Sequence, residues 1–295
     1  MRFAETRLQR SARKLLDRFR LDRLRPRLSL RMFRSLGVAS GKGGTGKTFV
    51  SVNLGILIAR DRPGALLLDA DLGLANAHLN LGLRPEHNLQ DYFDNDVALA
   101  DLVLSTRYGL RLLSGGSGIS RLADLDARER RRLADDLPEL VGAAAPLLVD
   151  SAAGISPQTL LFLLCTDIVV LVVTPELTSI TDAYALIKCL SVRRPECRFG
   201  VVVNRTDDES QSHEVFARLS EVVQRFLRMP LHFLGGIPED RAVRSALAAK
   251  VPLVVRAPRA DAARGLRAVA AALETWVGEL PQDPVGFAAR LHDLA

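Results

Sequence analysis

Cysteine is scarce in this chain, with only Cys165, Cys189 and Cys197 among 295 residues. They sit at no metal-ligand spacing and Cys165 lies in an apolar run, so neither a disulfide framework nor a zinc site is expected, and a reducing compartment is. No apolar stretch approaches the ~20 residues that span a bilayer, and the N-terminus lacks a signal-peptide core; a soluble protein is expected. The five histidines, His78, His87, His213, His232 and His292, are scattered, so no His-based metal cluster or catalytic pair is expected. The lone tryptophan, Trp276, and the phenylalanines read as core or helix-face packing. Sequence repeats and long low-complexity segments are absent as well.

What is present is apolar bulk in an alternating pattern. With 48% hydrophobic residues the chain can bury one large core, and one domain is the simplest division of its length. Apolar strand patterns at 35–39, 65–69, 110–113, 146–150, 167–173, 199–204 and 231–235 alternate with helical patterns near 47–60, 126–141, 178–192, 211–228, 239–249 and 259–277. Such alternation predicts an α/β fold with a mainly parallel sheet covered by helices on both faces and ligands at the carboxyl edge of the strands. Charge is distributed unevenly. Residues 1–34 hold 12 Arg or Lys against 3 Asp or Glu, a net of +9; because the whole chain is +6, the remainder carries −3. The basic character belongs to the N-terminal segment.

The stretch Gly41-Lys42-Gly43-Gly44-Thr45-Gly46-Lys47-Thr48 is a complete phosphate-binding loop. Glycines let successive backbone N–H groups curl around a phosphate, Lys47 neutralises its charge, and the Thr48 hydroxyl is placed for Mg²⁺. The context agrees: Ser35-Leu36-Gly37-Val38-Ala39 reads as a buried strand entering the loop, and a helix with apolar Val52, Ile56 and Ala59 follows it. The N-terminus of that helix then faces the anion. A nucleoside triphosphate is the expected ligand.

Lys42, early in the loop, narrows the class. The wording KGGTGKT resembles the deviant loop of the MinD/ParA family of ATPases, in which that lysine reaches the nucleotide of a dimer partner. Further segments carry the resemblance over roughly residues 33–278. Asp69-Ala70-Asp71-Leu72-Gly73-Leu74-Ala75-Asn76 resembles the first switch segment of the FlhG (FleN/YlxH) branch, the flagellar-number regulators. Asp150-Ser151-Ala152-Ala153-Gly154 resembles the second switch turn, with serine where threonine is commoner. Asn204-Arg205 resembles the pair that reads adenine, and Gly236-Ile237-Pro238-Glu239-Asp240 the loop that closes over the base.

The resemblance implies a single P-loop ATPase domain at 33–278, flanked by a basic segment at 1–32 and a linker with a short amphipathic tail at 279–295. It implies ATP and Mg²⁺ as ligands. Thr48 would bind the metal directly, Asp150 through its water shell, and Asp69 would support the metal shell or the loop. Asp71 would orient the attacking water, and Lys42 of one subunit would act on the other subunit's nucleotide in the manner of an arginine finger. Asp69 and Asp71 also fit a plainer role as caps on the strand's exit. The implied function is an ATP-dependent homodimerisation switch controlling flagellar number or placement. The alternatives are a ParA-like or MinD-like cargo-positioning or division-site ATPase, with nonspecific DNA as partner in the ParA case, and a non-hydrolysing nucleotide-binding scaffold.

Both ends carry further expectations. Leu8, Ala12, Leu15, Leu16 and Phe19 fall at helical spacing among arginines, so residues 5–20 read as a basic amphipathic helix. Four readings fit it: a helix docking on a partner, as FlhG-like proteins dock on the GTPase FlhF; a lipid-surface helix; an organellar transit sequence; and a solvated arm. The Asp-Gln-Ala motif of the FlhF activator is absent from it. At the other end, Asp283-Pro284 reads as a helix cap before a stripe of Phe287, Leu291 and Leu294. That stripe resembles the membrane-targeting tails of the family, which implies a cytoplasmic protein held peripherally at the anionic inner face of the cell membrane; a plain docked or frayed helix fits equally.

Overall fold

The computed structural model describes residues 35–71, 75–95, 97–116, 125–141, 145–281 and 285–294. The basic N-terminal segment, residues 72–74 of the first switch and the Asp283-Pro284 pair lie outside the described residues. Among the described residues the strands are β1 (Ser35–Ala39), β2 (Leu66–Ala70), β3 (Val103–Ser105), β4 (Arg111–Leu113), β5 (Leu147–Ser151), β6 (Ile168–Val173), β7 (Phe199–Thr206) and β8 (Leu231–Pro238). The helices are α1 (Lys47–Asp61), α2 (Ala77–Leu81), α3 (Leu89–Asp94), α4 (Ala127–Val141), α5 (Pro157–Cys165), α6 (Leu177–Arg193), α7 (Glu209–Leu227), α8 (Arg241–Ala248), α9 (Leu253–Arg256), α10 (Asp261–Glu279) and α11 (Phe287–Asp293).

The strands form one sheet in the order β3-β4-β2-β5-β1-β6-β7-β8. Pairing is parallel except between β3 and β4. Strands β1, β2, β5 and β6 are buried at every position, as expected of parallel strands covered on both faces. Successive side chains feed opposite layers. Leu36 and Val38 join a core with α1, α9 and α10, whereas Ala39 joins one with α5, α6 and α7. A third cluster packs β2, β4 and β5 residues under α3, α4, α5 and α11.

The expected alternation therefore holds, with additions. Helix α5 is absent from the sequence expectation because its residues are buried on almost every side, leaving no polar face to mark a 3.6-residue period. Its start was nonetheless written locally: Ser156 caps it by accepting from the Thr159 N–H, and Pro157 follows in the first turn. Helices α2, α3 and α9 and strand β3 were missed for another reason, being too short to show a period.

The C-terminal residues form a helix docked on the domain. Phe287 and Leu291 are buried in the third cluster, with the Phe287 ring 6.4 Å from that of Phe162 and stacked at 14°. Arg290, 9% exposed, donates to the Cys165 carbonyl at 2.9 Å and to Asp167 at 3.1 Å. Leu294 stays outside at 44% exposure, so the stripe read from sequence is split between core and surface.

Candidate active site

Because β2, β5, β1, β6 and β7 are sheet neighbours and run parallel, their carboxyl ends bring together segments distant in the chain. The loop after β1 is built by its glycines. Gly44 and Gly46 have φ of 81° and 89°, in the left-handed region that disfavours other residues, and Gly46 is the N-cap of α1. Gly41 is needed for a different reason, since a Cβ there would lie 2.2 Å from the Asp182 carbonyl carbon and 2.6 Å from the Ala183 nitrogen of α6. Gly43 and Gly44 face open space.

Lys47 and Asp150 form the buried centre. Lys47 Nζ is 3.2 Å from Asp150 Oδ1, with the side chains 8% and 0% exposed. The Ser51 hydroxyl, one turn along α1, lies 2.9 Å from the same oxygen and 3.0 Å from the Lys47 carbonyl. Asp150 Oδ2 is buried with no hydrogen-bond partner. Across the β2–β5 register Asp69 stands opposite Asp150 and accepts from the Ala77 N–H at 2.9 Å and the Asp71 N–H at 3.3 Å. Burial, reinforced by the negative charge of Asp150, pushes the Asp69 carboxyl up to about 7.

Two buried carboxylates thus share one ammonium. A divalent cation fits this surplus. Asp150 Oδ2 is the orphaned acceptor, and half-buried Thr48 stands in the first turn of α1. Mg²⁺ is usually held by one or two protein oxygens together with phosphate oxygens and water. Among the described residues no group of three or more His, Cys, Asp or Glu could hold a metal on its own.

The remaining expected residues divide. Asn204, Arg205 and Pro238 gather at the ends of β7 and β8, where Asn204 pairs with Ile237 and Thr206 with Pro238. Arg205 has a left-handed φ of 61° and faces Glu239 at 3.9 Å. The Asn204 side chain turns inward to the phosphate loop. Lys42 is held within its own chain, paired with Glu176 Oε2 and donating to Thr178 Oγ1 at 3.0 Å. The Lys42 hydrogen bond and charge keep the Glu176 carboxyl below its usual range. Asp71 is half-buried at the exit of β2.

Comparison with known families decides the class. The family model described as the CobQ/CobB/MinD/ParA nucleotide binding domain matches residues 36–253. The chain belongs to this family. Among MinD/ParA relatives, it is 38% identical over 251 residues to the antiactivator FleN of Pseudomonas aeruginosa, covering 85% of this chain and 89% of FleN. It is 28% identical to the flagellum site-determining protein YlxH of Helicobacter pylori, covering 84% and 85% of the two chains. The solved septum site-determining protein MinD of Pyrococcus horikoshii OT3, complexed with Mg-ADP, superposes with a TM-score of 0.67 at 25% identity, covering 84% of this chain and 98% of MinD.

Seen as a MinD/ParA-family site, the structure adds residues the sequence reading missed. Ser51 had a signal, lying four residues after Lys47 and hence on the same helix face. Glu176 and Thr178 had only a topological one: they follow β6, which pairs with β1, so they border the loop after β1.

Proposed function

We propose that the chain is an ATP hydrolase that dimerises when ATP is bound and acts as a switch in setting flagellar number or placement. The observation that carries the chemical part is the buried Lys47–Asp150–Ser51 constellation at the start of α1, with Asp150 Oδ2 unpartnered. The similarity to FleN and YlxH supports the flagellar part. Hydrolysis of a phosphoanhydride needs mainly in-line positioning and charge neutralisation. The loop N–H groups and Lys47 would hold and neutralise the phosphates, Thr48 would bind Mg²⁺ directly and Asp150 through its water shell, Asp69 would support that shell or the loop, and Asp71 would orient the attacking water. Bound Mg²⁺ would supply charge neutralisation between phosphate oxygens.

Lys42 gives the switch its two states. In the single chain its ammonium is occupied by Glu176 and Thr178; serving a partner's nucleotide requires it to leave them. Attachment to an anionic membrane surface through Phe287 and Leu291 likewise requires α11 to leave its seat in the core. Among the described residues no helix is long and apolar enough to cross a membrane. We place the protein in the cytoplasm, with an FlhF-like GTPase or another flagellar protein as partner for residues 1–32.

The test is light scattering and turnover of the full chain with Mg-ATP and Mg-ADP. ATP should give a dimer and ADP a monomer, and Lys42→Ala should bind ATP without hydrolysing it or dimerising firmly. The same mass in both nucleotide states refutes the switch. One observation favours the ParA-like alternative: residues 241–267 hold seven Arg or Lys against one Asp, although the chain beyond residue 34 is net negative. Binding of random-sequence DNA that collapses between 50 and 200 mM salt would select that alternative.

A further inference from the structure

The Asn204 side chain is engaged in a way that base reading does not require. It is 5% exposed, and its Nδ2 donates a 2.7 Å hydrogen bond to the Thr45 carbonyl in the phosphate loop. The same nitrogen fills the space beside Gly46, where a Cβ would lie 2.4 Å from it. At this point the loop has little else to fix it. Gly46 caps α1 with no side-chain bond, and the Thr45 hydroxyl is buried without a partner.

We propose that Asn204 is a positioning residue for the phosphate cradle. In a trans peptide the carbonyl and the following N–H point in opposite directions. Pinning the Thr45 oxygen toward β7 therefore aims the Gly46 N–H away from β7 and holds the entry to α1 at its left-handed φ of 89°. The bond crosses over β6, which lies between β1 and β7, and joins the sheet edge carrying Arg205 and Pro238 to the loop carrying Lys47. Base-side and phosphate-side contacts are thereby coupled through one amide. A buried carbonyl that loses its donor costs about 1–3 kcal/mol, on the order of tenfold or more in binding if the cradle must re-form that geometry around its ligand.

The proposal rests on the nucleotide-binding reading above, and a ligand without a base separates the two. Calorimetric titrations of the full chain with Mg-ATP, Mg-GTP and Mg-tripolyphosphate are compared for wild type, Asn204→Ala and Asn204→Asp. Amide hydrogen exchange of residues 43–49 is followed without ligand. We expect both variants to lose tripolyphosphate and ATP affinity by the same factor, about tenfold, and to exchange faster across the loop. The Asp variant keeps the size of the side chain but replaces the donor with an acceptor, so it separates the hydrogen bond from packing. Unchanged tripolyphosphate affinity and loop exchange, with only the ATP-over-GTP preference lost, would overturn the proposal and leave Asn204 a base reader. Wild type binding none of the three ligands would instead refute the nucleotide-binding reading, while the exchange comparison would still decide the role of Asn204 in the loop.

Discussion

The C-terminal helix offers a sharp test, because two leucines three residues apart serve opposite surroundings. Leu291 is 0% exposed in the cluster formed by α4, α5 and α11, whereas Leu294 is 44% exposed. Truncating a fully buried leucine to alanine costs roughly 2–5 kcal/mol, from lost transfer energy and the cavity left behind. At about 2–4 °C per kcal/mol for a domain of this size, Leu291→Ala should lower Tm by on the order of 4–20 °C. Leu294→Ala should change it by about 1–2 °C, as surface substitutions usually lie within ~0.5 kcal/mol. Partial undocking of α11 could relieve some of the Leu291→Ala cost, so trypsin provides the second measurement. Cleavage after Arg290 should be slow in wild type, where its guanidinium is bound to the Cys165 carbonyl and Asp167, and fast in Leu291→Ala. Equal Tm values for the two variants, together with rapid cleavage after Arg290 in wild type, would refute the docked helix and return the stripe to a membrane or frayed role.

Gly41→Ala should weaken Mg-ATP binding at least tenfold and lower Tm, because its methyl would collide with the α6 backbone at Asp182 and Ala183, whereas Gly43→Ala should leave Tm unchanged; calorimetry and thermal melts check both. Asp71→Ala should retain ATP binding and the ATP-dependent dimer while turnover falls by two or more orders of magnitude, and undiminished phosphate release would move the water-orienting role elsewhere. Burial raises the Cys165 thiol to about 12 and Cys197 to about 11. Thiolate is the reactive form, so alkylation of the folded protein at pH 8 should label partly exposed Cys189 first, and rapid labelling of Cys165 by mass spectrometry would contradict its burial.

Much of the fold was written locally. The chain's buried parallel strands appear as Val- and Leu-rich runs, and α7 and α10 as periodic apolar faces, since those signals depend only on residues near in sequence; α1, buried on nearly every side, was legible instead from the phosphate loop that opens it. The phosphate loop was legible for the same reason: Gly41 to Thr48 carry the whole cradle, and only glycine takes the left-handed turns at 44 and 46. Asp69 and Asp150 could be picked out at strand ends. Their mutual repulsion, which raises Asp69, could not, because it comes from the β2–β5 register rather than from either segment. Helix α5 escaped notice because complete burial erases the polar face that marks a helix. Tertiary structure alone decided four further points: that Lys42 is held by Glu176, that Asn204 faces Thr45 rather than open solvent, that Gly41 abuts α6, and that Phe287 and Leu291 of the C-terminal stripe lie in the core while Leu294 does not. Each joins residues more than 100 positions apart through the order in which the strands lie side by side. Local spacing can specify which side chains reach a strand's end, but the sheet determines which ends meet.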